Sequence, residues 1–224
     1  MSTLGIIGGM GVQTTARFYE MLTQLQSVTT EQQYINILIY SKPSTPDRTD
    51  FITGKSNISP LDSLIEATLS LEKAGATCLA MPCITAHFFY EELAQAVQGH
   101  FINMVEETVI YVQKRGFAKI GLLATNGTLH GGFFQKTFAE YNVDVVLPTT
   151  QDQSALMDII YAIKRGKLPV NALENLSAGI DAQAIVLGCT ELGLLHKPDG
   201  YEYIEAMEVL ARTAIEHIIS QGSA

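Results

Sequence analysis

The sequence predicts an α/β fold made of two like halves, each a parallel sheet with helices on both faces. Three observations predict it. Short apolar runs bounded by Gly, Pro or polar turns alternate with segments of helical apolar spacing along the chain. The element order restarts at Ile120, which follows Leu4 by nearly the interval that separates Cys83 from Cys189. The apolar runs end on Gly-rich or Cys-bearing turns, and ligands of parallel sheets bind beyond the carboxyl ends of strands.

The elements follow in order. Leu4–Ile7 is a short apolar strand, Gly8-Gly9-Met10-Gly11 its turn, and Gln13–Leu25 a helix. A strand from Ile35 to Tyr40 leads into the polar, Pro-rich loop Ser41–Asp50. A helix over Pro60–Ala74 is stopped by Gly75. The strand Thr77–Met81 then delivers Cys83, with a helix over Phe88–Val97. Ile102–Met104 reads as a further strand and Val105–Arg115 as a helix ended by Gly116. The second half repeats the pattern: strand Ile120–Leu123, turn Ala124–Gly127, helix Gly132–Tyr141, strand Val143–Leu147, polar loop Pro148–Gln153 and helix Ala155–Lys164 stopped by Gly166. A helix near Val170–Ala178 precedes the strand Ala184–Leu187, which delivers Cys189, and a last helix spans Glu205–Ile219.

Composition narrows the function classes. The 224 residues are 47% hydrophobic and 17% charged, enough for a sizeable core and too apolar for a disordered chain. A formal net charge of −9 without a basic run argues against nucleic acid or an anionic membrane as partner. An anionic ligand therefore needs a few well-placed cations. No charged-then-apolar leader opens the chain and no apolar run reaches spanning length, so the expected location is the cytoplasm. The three cysteines, Cys78, Cys83 and Cys189, read as free thiols there.

Cys83 and Cys189 each sit between a strand and a following element, where helix N–H groups can bring a thiol pKa of about 8.5 toward neutrality. Cys78, mid-strand, reads as a buried structural thiol. Two thiols facing each other across a ligand suit inversion at a carbon: one takes a proton from one face, the other gives a proton to the opposite face. No lysine lies in a cofactor context, so no cofactor is expected. Arg48 is the candidate clamp for a carboxylate, since a guanidinium grips both oxygens. Lys164, in the last turn of its helix, is a second candidate cation. Thr85, Thr125 and Thr190 can present hydroxyls, Thr190 most directly because it adjoins Cys189. Gly9 and Met10 belong to the first strand-end turn and are placed with the substrate-binding residues. Cys83 and His87 have metal-ligand spacing, but nothing completes a zinc site, and His87 is expected to pack locally. Gly9-Met10-Gly11-Val12-Gln13-Thr14 lacks a third glycine, and Tyr40-Ser41 stands where a ribose-binding acid would, which argues against a dinucleotide.

Gly5-Ile6-Ile7-Gly8-Gly9-Met10-Gly11 with Thr15, Pro46-Asp47-Arg48-Thr49, Met81-Pro82-Cys83 with Thr85-Ala86-His87, and Leu187-Gly188-Cys189-Thr190-Glu191 together resemble the aspartate/glutamate racemase superfamily, most of all its aspartate racemase branch. Ile163-Lys164 and Leu122-Leu123-Ala124-Thr125 with Gly127-Thr128 fit the same branch. The resemblance implies two Rossmann-like domains with the active site in the cleft between them. It places residues 1–104 and 206–224 in the first domain, with the last helix packed back on it, and 105–205 in the second. It also implies a homodimer, a small acidic amino acid as ligand, and cofactor-independent racemisation by two cysteines. Ile84 stands where the family usually carries Asn, and Val12 where it usually carries Pro. Ile84 removes a possible polar contact to substrate, worth about 1–3 kcal/mol. A maleate isomerase-like diacid isomerase and a non-catalytic relative that binds an acidic amino acid are the alternative readings.

Overall fold

The computed structural model describes residues 2–222; Met1 and residues 223–224, the ends of the predicted first domain, lie outside the described residues. Strand β1 (Thr3–Gly8) leads to helix α1 (Val12–Leu25), which buries Phe18 and Leu22, one turn apart on one face. After β2 (Asn36–Ser41) come a short helix α2 (Arg48–Ile52), α3 (Leu61–Lys73) and β3 (Cys78–Ala80). Helix α4 (Tyr90–Gln95), strand β4 (His100–Phe101) and α5 (Met104–Lys114) complete the first half. The second half runs β5 (Lys119–Ala124), α6 (Asn126–Gly131), α7 (Phe133–Glu140), β6 (Asp144–Val146), α8 (Thr150–Lys164), α9 (Ala172–Ser177), β7 (Ala184–Gly188), β8 (Tyr203–Glu205) and α10 (Ala206–Gly222).

The two sheets have the same topology. Their strand orders are β2-β1-β3-β4 and β6-β5-β7-β8, parallel throughout, so the repeat expected from the sequence is present, with a fourth strand in the second half that the sequence did not show. Strand alternation decides which core each residue enters. Leu4 and Ile6 of β1, Ile120 and Leu122 of β5, and Ala184 and Val186 of β7 enter one central cluster with α5 and α10. The opposite faces feed separate cores: Ile7 and Leu79 pack with Leu64 and Leu71 of α3, while Ile185 and Leu187 pack with Leu156 and Ile160 of α8. The central core is thus shared by both halves.

Helix α10 packs on α5, α1, β1 and β3, and also touches β7 and β8. Glu205, where β8 meets α10, is buried and takes two hydrogen bonds from the Arg17 guanidinium of α1, at 2.7 and 3.1 Å, plus the Lys197 ammonium. Burial works against its charge, but Arg17 and Lys197 hold the carboxyl below its usual range. Gly193 lies so close to this pair that a Cβ would stand 2.4 Å from Glu205 Oε2.

Three sequence expectations are corrected here, and one strand was missed. The strand placed at Ile102–Met104 lies at His100–Phe101, because the Asn103 side chain accepts from the Val105 and Glu106 N–H groups and starts α5 at Met104. The polar stretch Pro148–Gln153 is helical from Thr150, capped by Thr149, whose hydroxyl accepts from Asp152 N–H at 3.2 Å. The loop Ser41–Asp50 ends in helix α2, capped by Asp47. Strand β8 was not read from the sequence at all.

Candidate active site

Both cysteines are set by the same local backbone. Cys83 follows β3 with φ −149° and ψ 100°, and Cys189 follows β7 with φ −142° and ψ 125°; both are extended. Each opens a short 3₁₀ helix, Ile84–Phe89 and Thr190–Leu194, by accepting from the N–H three residues on, Ala86 to Cys83 and Leu192 to Cys189. The first helix therefore begins at Ile84, not at Phe88 as the spacing predicts.

The first turn is equally constrained. Gly9 has φ +93°, and a Cβ there would sit 2.5 Å from the Lys42 backbone. Thr15 ties the turn down, accepting from Gly9 N–H at 2.9 Å and donating to Gly11 C=O at 2.8 Å.

A narrow pocket collects Met10, Arg48, Cys83, Thr85, Thr125, Lys164, Cys189 and Thr190. Every predicted site residue except Gly9 lines it, and these residues come from both halves of the chain. Its free space is about 10 Å³, no more than one water needs. It adjoins an outer cavity of about 520 Å³, which Gly9 lines with Val12, Ile163 and Leu194. Met10, Asp47, Arg48, Lys164 and Glu191 line both spaces.

Three hydroxyls join the halves beside the pocket. Thr85 Oγ1 lies 2.9 Å from Thr125 Oγ1 and 3.2 Å from Thr128 Oγ1, and the last two are 3.1 Å apart. Thr125 caps α6, accepting from Thr128 N–H. Gly127 permits the close approach: a Cβ would stand 2.8 Å from Thr49 Cα and 2.9 Å from Thr85 Cγ2.

The polar groups are individually fixed. Arg48 is buried, and its Nη1 donates to the Thr45 and Pro46 carbonyls at 3.2 and 2.9 Å, while Nε has no partner. Lys164 Nζ is 4.0 Å from Glu191 Oε1. Burial opposes the Lys164 charge, yet the neighbouring Glu191 carboxylate raises its pKa overall, so it stays an ammonium. Cys189 Sγ donates to Glu191 Oε2 at 3.1 Å. Burial first, and Glu191 second, push the Cys189 thiol well above its ordinary value. The depressed pKa expected at a helix start is thus reversed at Cys189.

Two residues take the structural roles the sequence assigned them. Cys78 is buried in β3, and desolvation carries its pKa to about 12. His87 is spent on packing: Met104 N–H donates to Nε2 at 3.2 Å, and the ring's Nδ1 bonds to the Cys83 carbonyl at 3.0 Å. Sequence reasoning assigned no role to Glu191 or Thr128. An acid two residues past a strand-end cysteine was the available signal for the first, and a Thr at a strand end three residues before it, fit to start a helix, for the second. Ile84 is buried in the pocket wall and packs in the central core.

Fold and pocket together define an α/β protein of two like halves that brings paired thiols and two cations into one space. The family model for Asp/Glu/Hydantoin racemase matches residues 7–214, and the chain belongs to that family of amino-acid racemases. It is 27% identical over 233 residues to the broad specificity amino-acid racemase RacX of Bacillus subtilis (strain 168), covering 98% of this chain and 100% of the relative. It superposes on the aspartate racemase of Picrophilus torridus with a TM-score of 0.83 at 28% identity, covering 97% of this chain and 94% of that one. The glutamate racemase of Francisella tularensis subsp. tularensis SCHU S4, solved with D-glutamate, shares the fold at a TM-score of 0.76 and 12% identity, over 99% of this chain and 82% of that one.

Proposed function

We propose that the chain racemises the α-carbon of a small amino acid, aspartate first, with Cys83 and Cys189 as the acid–base pair and without a cofactor. The observation that carries this reading is the pocket itself, where both thiol-bearing residues, Arg48 and Lys164 line one narrow space. One thiolate takes the Cα proton and becomes a thiol. The opposite thiol gives its proton to the other face of the carbanion and becomes a thiolate, so protons balance and configuration inverts. The Arg48 guanidinium, pinned by two backbone carbonyls with Nε left over, receives the α-carboxylate, and the Lys164 ammonium receives the side-chain carboxylate. In this water-poor pocket such charges act strongly on the developing carbanion.

Substrate needs more room than about 10 Å³, and the adjoining outer cavity, which shares Met10, Asp47, Arg48, Lys164 and Glu191 with the pocket, offers it. Ile84 offers the ligand an apolar wall, and the outer cavity of about 520 Å³ leaves space for longer side chains. Both features favour a substrate range wider than aspartate alone, in keeping with the broad specificity named for the Bacillus subtilis relative.

The test is incubation of single L- or D-amino acids in deuterated buffer. The expected result is loss of circular dichroism with deuterium entering Cα, for aspartate and for some larger side chains. Absence of exchange with every amino acid overturns the reading. Thermal stabilisation by aspartate without exchange would make the chain a binding relative, and turnover of maleate to fumarate an isomerase of diacids.

A further inference from the structure

The matched backbones at the two cysteines isolate one chemical difference between them. Two residues past Cys83 stands Thr85, which turns its hydroxyl toward Thr125 and Thr128. Two residues past Cys189 stands Glu191, whose carboxylate turns back onto the thiol. Its Oε2 accepts from Cys189 Sγ at 3.1 Å and from Thr190 Oγ1 at 3.3 Å. Its Oε1 is buried, accepts no hydrogen bond, and faces Lys164 Nζ at 4.0 Å. Thiol, carboxylate and ammonium thus form a short row on the Cys189 side, and Cys83 has no acid in the matching place.

We propose that Glu191 is a positioning residue that keeps Cys189 protonated in the resting enzyme, so that Cys83 serves as first base and Cys189 as first acid. This rests on the two-thiol reading above. A proton shared between a thiol and a carboxylate sits on sulfur, because the two differ by about four pH units in ordinary acidity. Burial disfavours a Cys189 thiolate most, and such a thiolate would also face the Glu191 charge at hydrogen-bond distance. The other charged or titratable groups lining the pocket are Asp47, Arg48, Cys83 and Lys164. Lys164 pulls toward the thiolate, but Glu191 stands beside it and shares its charge. In the first half-turnover Cys83 gains the Cα proton and Cys189 gives up its own, leaving the thiolate with Lys164 as counter-ion. Turnover of the opposite enantiomer starts from that less favoured form.

The test needs no racemisation. Iodoacetamide reacts with the thiolate, so the alkylation rate of Cys189 at fixed pH, read by mass spectrometry with Cys83 as internal reference, follows its thiolate fraction. Glu191→Gln keeps the shape and removes the charge. The expected result is a Cys189-to-Cys83 rate ratio raised by at least about tenfold, equivalent to one pH unit. A ratio unchanged or lowered overturns the proposal. If Glu191→Gln does not fold, Lys164→Met takes its place: removal of the cation is expected to lower the ratio, and an unchanged or raised ratio overturns the proposal. Because alkylation is read without turnover, failure here is distinguishable from absence of racemase activity.

Discussion

His87 shows how burial converts a side chain with metal-ligand spacing into a structural one. It is enclosed between the Cys83 carbonyl and the Met104 amide, and desolvation lowers its pKa from 6.5 to about 4. Above the unfolded value the ring is neutral in both states and costs nothing. As pH falls through 6.5 the unfolded chain takes up a proton that the folded chain refuses until about 4. Stability is therefore lost on acidification across that window, by about 3 kcal/mol from this group alone. Urea midpoints measured at steps from neutral pH downward are expected to fall more steeply for the wild type than for His87→Gln. Parallel curves would show that the ring titrates normally. Glu191 is the opposite case: its identity was plain in the sequence, but not its direction. Thr85 occupies the matching place beside Cys83 and points elsewhere. Only the fold shows which of the two faces a thiol.

At the scale of elements, the contact between halves beside the pocket depends on Gly127. A methyl group there meets Thr49 Cα at 2.8 Å, a backbone atom that has no rotamer to yield. Gly127→Ala is expected to cost about 1–3 kcal/mol of stability and to spread the three-threonine contact. The readout is the thermal midpoint together with the KM for substrate; an unchanged midpoint would mean that the halves are loosely held here. The sequence was legible wherever an element buries a periodic face. Leu4-Gly5-Ile6-Ile7, Ile120–Leu123 and Ala184–Leu187 were placed within a residue or two, because β1, β5 and β7 are buried on both sides. Short edge elements were not. Strand β4 has two residues and β8 three, too few to show alternation, and β8 follows a Pro-Asp-Gly turn that reads as loop. The first turn of α8, Thr150-Gln151-Asp152-Gln153, is polar because solvent and the Thr149 cap, rather than packing, hold it.

At the scale of the whole molecule, two sheets of identical strand order share one central core, with the Arg17–Glu205 pair fixing α1 of the first half to β8 of the second. That arrangement carries the strand ends of both halves to one pocket, and so brings together residues as distant in sequence as Cys83 and Cys189. It also places Arg48 and Lys164 at that pocket within a chain of net charge −9, the local cations that an anionic ligand requires. The matching strand-end positions of Cys83 and Cys189 were suggested by the repeat in the sequence; the narrowness of the pocket they line was not. The central claim is that both thiols relay a proton through one bound substrate. It is tested by racemisation of aspartate, and of any better substrate the exchange screen finds, in Cys83→Ser and Cys189→Ser variants that retain the wild-type fold. Each substitution alone is expected to lower kcat by at least about two orders of magnitude, as for loss of a general acid or base. Wild-type turnover surviving in either variant would contradict the two-thiol mechanism.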